Sequence, residues 1–297
     1  SPIPAIAPGA EQASGAAALL HMLERVQVSP RKRTVIAVLM SGHFEHVAGA
    51  RYLLPVVQAA DGRTEEATRL PFSDGDQRLV DRLSEYDTRL FVGVDLSTGL
   101  DAISVIGKPK FPYRVDLKFP PIGPLVLDLI KAYEDSLLGG EILVGHSLKT
   151  DYTRAKFGSG SENIPTDSAV SALAGAPTLG LGPCADSRAQ FDSPWDLPDG
   201  LNYANLALQA DFAAHLLIEL SDRTDLPAWE WGNNVFASLK GEVVHYGLRS
   251  YLPDQPTGGA LVRVRGRNPT LGGVRLDQWA MADDEGKFSI PGLETTR

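Results

Sequence analysis

Hydrophobic runs and their spacing divide the chain into two parts. Over residues 1 to about 225, short apolar runs alternate with amphipathic stretches, the pattern of an α/β fold with a mostly parallel sheet flanked by helices. Residues 35–40 (VIAVLM) and 89–96 (RLFVGVDL) are near-continuous apolar runs of strand length and predict buried parallel strands. Residues 102–106 predict an edge strand, and 177–181 a short one. Helices are expected at 14–25, where Ser14 precedes an Ala- and Leu-rich run, and at 48–60, 76–83, 121–136 behind Pro121, and 203–220. Residues 147–168, rich in Gly, Ser, Thr and Asp, predict a loop. Beyond Asp225 the period changes to two. Segments 241–246, 260–264 and 286–290 alternate in polarity and are separated by turn residues such as Pro253-Asp254 and Asp283-Asp284-Glu285-Gly286. That is the pattern of a small C-terminal all-β sandwich. No internal repeat or low-complexity tract is present.

Composition narrows the classes without choosing among them. The 297 residues suffice for one sizeable α/β domain and a small module, and 43% hydrophobic with 22% charged residues is ordinary for a globular chain. A net charge of −9, with no basic stripe carrying interleaved aromatics, argues against nucleic acid as a partner. Arg31-Lys32-Arg33 reads as a solvated turn ahead of the first expected strand. The single Cys184 excludes an intramolecular disulfide framework and has no nearby His to activate it as a nucleophile. No run approaches the roughly 20 apolar residues of a membrane span. Residues 1–8 lack the charged and apolar regions of a signal peptide. The chain reads as a fragment that opens inside a loop and stops soon after a strand.

Three segments together resemble the zinc-dependent aminopeptidase and glutamate-carboxypeptidase family, which includes transferrin-receptor-like proteins. Residues 8–20 (PGAEQASGAAALL) resemble its G-A-x-D-N-x-S-G segment, whose Asp bridges two zinc ions. Residues 34–51 resemble the strand and loop bearing Gly-Glu-Glu, the general base followed by a zinc ligand. Residues 175–202 (GAPTLGLGPCADSRAQFDSPWDLPDGLN) resemble the late segment that supplies the last His ligand. The likeness spans about residues 8–222. It implies a zinc-exopeptidase-like domain over 1–228, its N-terminal part missing, so that the family's first His-x-Asp ligand pair would lie ahead of Ser1.

Position by position, the resemblance implies a degenerate metal site. Glu11 stands at the bridging Asp, and its additional methylene displaces the carboxylate by about 1.5 Å, beyond the roughly 0.2 Å tolerance of a good site. His43 stands at the general base and Phe44 at a ligand, and a phenyl ring offers a metal no lone pair. Asp95 matches a retained ligand, and Asp192 stands where the last His belongs. A co-catalytic centre needs its whole ligand set to activate water, so no catalytic residue, metal or other cofactor is expected. The competing reading is a divergent metal-dependent aminopeptidase or exopeptidase, zinc-dependent by the resemblance, hydrolysing peptides through Glu11, Asp95, Asp192 and the His43/His46 pair with ligands supplied ahead of Ser1. A separate alternative is a small metal site at His43, Glu45 and His46, although that spacing fits no H-E-x-x-H pattern. Gly139-Gly140 and Gly158-Ser159-Gly160 lack the strand and Lys of a phosphate loop.

Residues 235–297 resemble a carboxypeptidase-regulatory-like, transthyretin-like β-sandwich, incomplete at its end. The likeness rests on Gly241-Glu242-Val243, the run Gly259 to Val264, and the hairpin Asp283-Asp284-Glu285-Gly286-Lys287-Phe288. Such modules are commonly appended to exported bacterial proteins. The resemblance therefore implies an extracytoplasmic location and a structural or protein-binding role, with protein partners or self-association and no membrane span in this chain.

Overall fold

The structure, a computed structural model, describes residues 9–40, 48–62, 73–107, 122–136, 142–146, 167–184, 186, 188, 190, 193–226, 236–246, 253–265 and 277–294. In chain order its elements are α1 (Ala10–Gln27), α2 (Ala48–Ala60), α3 (Asp74–Leu83), β1 (Phe91–Val94), β2 (Ala102–Ile106), α4 (Ile122–Glu134), β3 (Leu143–His146), α5 (Asp167–Leu173) and β4 (Thr178–Pro183). A turn of 3-10 helix at Pro198–Gly200 precedes α6 (Tyr203–Asp222). Six strands follow: β5 (Phe236–Glu242), β6 (Val244–Tyr246), β7 (Pro253–Pro256), β8 (Leu261–Arg265), β9 (Asp277–Met281) and β10 (Lys287–Glu294). The described residues fall into two compact units. One holds α1, α4–α6 and β1–β4; the other holds α2, α3 and β5–β10.

In the first unit four strands form a mixed sheet in the order β1-β4-β2-β3. β1 runs parallel to β4 and β2 parallel to β3, while β4 and β2 are antiparallel. β2 and β4 are buried at every position, so both faces of these strands are covered. β2, expected at an edge, lies between β4 and β3 because Ala102, Ile103, Val105 and Ile106 are apolar on both faces and each face needs cover. Met22 of α1, Ile103 and Val105 of β2, Leu179 of β4 and Phe212 of α6 belong to one core cluster. Tyr133 of α4 meets Phe212 edge to face, with ring centroids 5.1 Å apart.

Helix α5 lies hard against the sheet. Gly93 of β1 and Gly180 of β4 are register partners. A Cβ at Gly93 would stand 2.7 Å from the Ser168 backbone nitrogen, and one at Gly180 2.7 Å from Ser168 Oγ. The two glycines thus form the seat that lets the helix approach the strands. Thr178 Oγ1 donates to the Ser168 carbonyl at 3.2 Å and tightens the contact.

Several expected boundaries move. α1 starts at Ala10, four residues ahead of the expected start at Ser14, because Ser14 Oγ donates to the Glu11 carbonyl at 2.5 Å instead of capping the helix. α5 was not expected; its first two residues, Asp167 and Ser168, close the expected loop at 147–168, of which 147–166 lie outside the described residues, and its Val170 and Ala172 are fully buried. The expected strand at 35–40 does not form. Ile36 and Leu39 are 49% and 68% exposed, and the segment joins no ladder among the described residues. Its lead-in is instead tied to the end of α6, where Lys32 N donates to the Ser221 carbonyl and Arg33 Nε to that of Arg223. An apolar run becomes a strand only where a neighbouring ladder is available to it.

In the second unit, β5–β10, β6–β7 and β8–β9 form three two-stranded antiparallel pairs, and α2 packs on β10. The expected strand at 241–246 divides between β5 and β6 at Val243, whose N–H donates to the Gly286 carbonyl at 2.7 Å. The turn at Asp283–Gly286 forms as its composition predicts. Asp283 Oδ1 accepts from the N–H groups of Glu285 and Lys287 at 3.0 and 2.8 Å, and Gly286 takes φ 78°. Among the described residues no helix is long and apolar enough to cross a membrane.

Candidate functional site

The polar centre of the first unit is assembled from three segments. The first turn of α1 supplies Glu11. Its position is set by Asp196, whose carbonyl accepts from Ala10 N at 3.2 Å and whose Oδ1 accepts from Glu11 N at 2.8 Å, so that one residue satisfies two of the free N–H groups at the helix start. β1 supplies Asp95 at its carboxyl end, where Asp95 N donates to the Leu181 carbonyl at 2.8 Å and extends the β1–β4 ladder by one step. The turn that follows is held by α6: Gln209, fully buried, donates from Nε2 to the Leu100 carbonyl at 2.8 Å and accepts from Ser97 N at 3.3 Å.

The third segment, beyond β4, brings in Arg188. Its guanidinium is buried between the two carboxylates. Nε donates to Glu11 Oε1 at 2.9 Å, Nη1 to Asp95 Oδ1 and Oδ2 at 3.0 and 2.9 Å, and Nη2 to the Leu96 carbonyl at 3.3 Å. The side chains of Arg188 and Glu11 are 4% and 8% exposed while that of Asp95 is 26% exposed, so the cluster meets solvent at Asp95. Asp186 anchors the loop: Oδ1 accepts from Arg188 N and Oδ2 from Gly99 N, each at 2.9 Å. Arg188 has φ 46°, the only positive φ at a non-glycine among the described residues, and this network holds it there.

Charge and burial oppose each other in the cluster. Burial pushes the Glu11 carboxyl above its ordinary 4.5; the hydrogen bond and charge of Arg188 pull it back only in part, and the negative charges of Asp186 and Asp196 add to the rise. For Arg188, burial disfavours the cation, but Asp95 and Glu11 outweigh it and raise the pKa further, so the guanidinium stays charged. Charge-assisted bonds of this kind are among the stronger ones in proteins, and deleting one partner of a buried pair costs about 3–5 kcal/mol because the other charge is left uncompensated. Asp196 Oδ2 and Ser97 Oγ, both buried, have no hydrogen-bond partner among the described residues. The arrangement is a fixed cation clasped by carboxylates. A guanidinium neither gives nor takes a proton near neutral pH, so Arg188 can position and neutralise but not act as acid or base.

Of the residues singled out by sequence, the structure brings Glu11 and Asp95 onto one guanidinium. His43, Phe44, Glu45, His46 and Asp192 lie outside the described residues. Among the described residues no group of three or more His, Cys, Asp or Glu side chains is placed to hold a metal ion. Three further histidines have other surroundings. His21 Nε2 lies 2.9 Å from Asp211, which Arg25 also contacts; His215 packs 4.9 Å from the Tyr133 ring; and His245 Nδ1 lies 3.0 Å from Thr257 Oγ1. Cys184 is buried, which pushes its thiol pKa up and disfavours the thiolate.

Arg188, Asp186 and Asp196 were not among the residues that motif and spacing singled out. One signal was present: Arg188 is the only Lys or Arg in residues 175–202, among Asp186, Asp192, Asp196 and Asp199. Buried carboxylates need a cation, and a lone basic residue inside an acidic loop is the natural candidate. No protein-family model, curated protein or solved structure matches the chain.

Proposed function

We propose that this chain is a non-catalytic, peptidase-like protein in which an internal arginine has taken over the charge-balancing role of metal ions, and that it acts as a structural or protein-binding subunit of an exported or cell-surface assembly. The observation that carries the reading is the Arg188 bridge. Glu11 and Asp95, two of the positions that the aminopeptidase resemblance assigns to metal ligation, direct carboxylate oxygens at one guanidinium. A carboxylate engaged this way has its charge answered without a metal, and a guanidinium supplies no water for hydrolysis. His43 and Phe44 at the base and ligand positions point the same way. The strands of the second unit, read as a carboxypeptidase-regulatory-like module, support the extracytoplasmic, partner-binding part of the proposal.

The test is metal content by inductively coupled plasma mass spectrometry on protein purified without chelators, together with hydrolysis of aminoacyl and dipeptide substrates in added zinc. We expect no stoichiometric zinc, manganese or iron and no turnover. One or two tightly held metals per chain, or turnover abolished by chelation, would replace this reading with that of a divergent metallo-aminopeptidase and make His43, Glu45 and His46 the residues to mutate.

A further inference from the structure

The groups that accept from Arg188 belong to parts of the chain far from it in sequence. Glu11 belongs to α1, and Asp95 and the Leu96 carbonyl follow β1; their positions depend on Asp196, the β1–β4 ladder and Gln209. The occupant, Arg188, lies beyond β4 with its own backbone held at φ 46°. The acceptors are distributed as a planar cation requires: Glu11 on Nε, Asp95 on Nη1 and a carbonyl on Nη2, four contacts of 2.9–3.3 Å around a single guanidinium. A point-like ammonium has no such spread of donors.

We infer that the Glu11–Asp95–Leu96 pocket is a guanidinium-binding site whose ligand is supplied internally by the Arg188 side chain. The ligand class is a planar, monovalent guanidino group. Solvent reaches the pocket at Asp95, the more exposed of the two carboxylates, so a small guanidino compound enters there once the internal ligand is shortened. In the native chain Arg188 is tethered beside its acceptors and outcompetes any dilute external cation. This geometry holds whether or not the peptidase resemblance does.

The experiment uses the full chain as wild type, R188A and R188K, with thermal unfolding followed by circular dichroism at neutral pH. R188A is expected to melt about 10 °C below wild type, and guanidinium chloride at about 20 mM to return about 3 °C or more of that loss. Urea, the neutral planar isostere, and sodium chloride, the salt control, are expected to return none. Wild type should show no rise with guanidinium, and R188K should stay below wild type because an ammonium cannot serve both carboxylates. A folded R188A that guanidinium does not stabilise, or that sodium chloride stabilises equally, overturns the inference. If R188A is recovered only as aggregate, refolding yield replaces the melting temperature: higher yield with guanidinium than with urea supports the site, and equal yields overturn it. Metal found in the wild-type protein would sink the functional proposal alone, and absent rescue in a metal-free protein would sink this inference alone.

Discussion

The seat of α5 on the sheet offers a quantitative test of how the polar centre is held in place. Gly93 and Gly180 face each other across the β1–β4 ladder, and both approach Ser168. A methyl group at position 93 would stand 2.7 Å from the Ser168 nitrogen and 3.0 Å from its Cβ, atoms that cannot move without shifting the helix. At position 180 the offender is Ser168 Oγ at 2.7 Å, with Ile106 Cβ next at 3.3 Å. Overpacking a tight interior costs about 1–3 kcal/mol, while Gly→Ala returns roughly 0.4–1 kcal/mol by restricting the unfolded chain. Gly93→Ala should therefore lose about 3 kcal/mol and Gly180→Ala about 1–2 kcal/mol. Removing the hydroxyl with Ser168→Ala should recover most of the loss at 180 and none at 93, because the nitrogen and Cβ remain. The assay is equilibrium urea unfolding of the single and double variants, read as a double-mutant cycle. Gly180→Ala as stable as wild type, or Ser168→Ala rescuing both sites alike, would refute the close approach. Asp95 directly follows β1, and β4 leads toward Arg188, so the strands seated against α5 are those that carry the ion cluster.

Two further outcomes follow from the site and the C-terminal strands. Because the folded state raises the Glu11 pKa, this residue contributes stability that is fully present below its unfolded value near 4.5 and is lost as pH rises through the raised value. The stability of wild type relative to Glu11→Gln should thus increase as pH falls from neutral toward 4.5; a difference that is flat or shrinks over that window would mean the carboxylate is net-stabilised by Arg188. In the second unit, Asp283→Ala removes the acceptor for two backbone N–H groups and should cost about 1 kcal/mol, with faster amide exchange at Glu285 and Lys287. Unchanged exchange at both amides would show that the turn holds without its side chain.

Local chemistry was legible in the residues themselves, but place in the sheet was not: β1, expected to be buried, is half-buried at the edge, and β2, expected at an edge, is central. The amphipathic runs of α2, α4 and α6, the apolar stretches of β1, β2 and β4, and the Asp283–Gly286 turn were recognisable because each is decided by residues adjacent in sequence or one helical turn apart. The start of α1 was misplaced because a serine that looks like a cap can equally bond backward within the helix. The apolar segment at 35–40 failed as a strand for a different reason: pairing depends on which ladder edge is within reach, and apolar content does not encode that. The ion cluster lies furthest from sequence view. Glu11 and Arg188 are 177 positions apart, and Asp95 and Arg188 are 93 apart. The family resemblance, and not residue type, picked out the two carboxylates among the candidate ligand positions. That their shared partner is a guanidinium was decided only by the tertiary structure, because burial makes an unanswered charge costly and only the folded chain determines which cation is near enough to answer it.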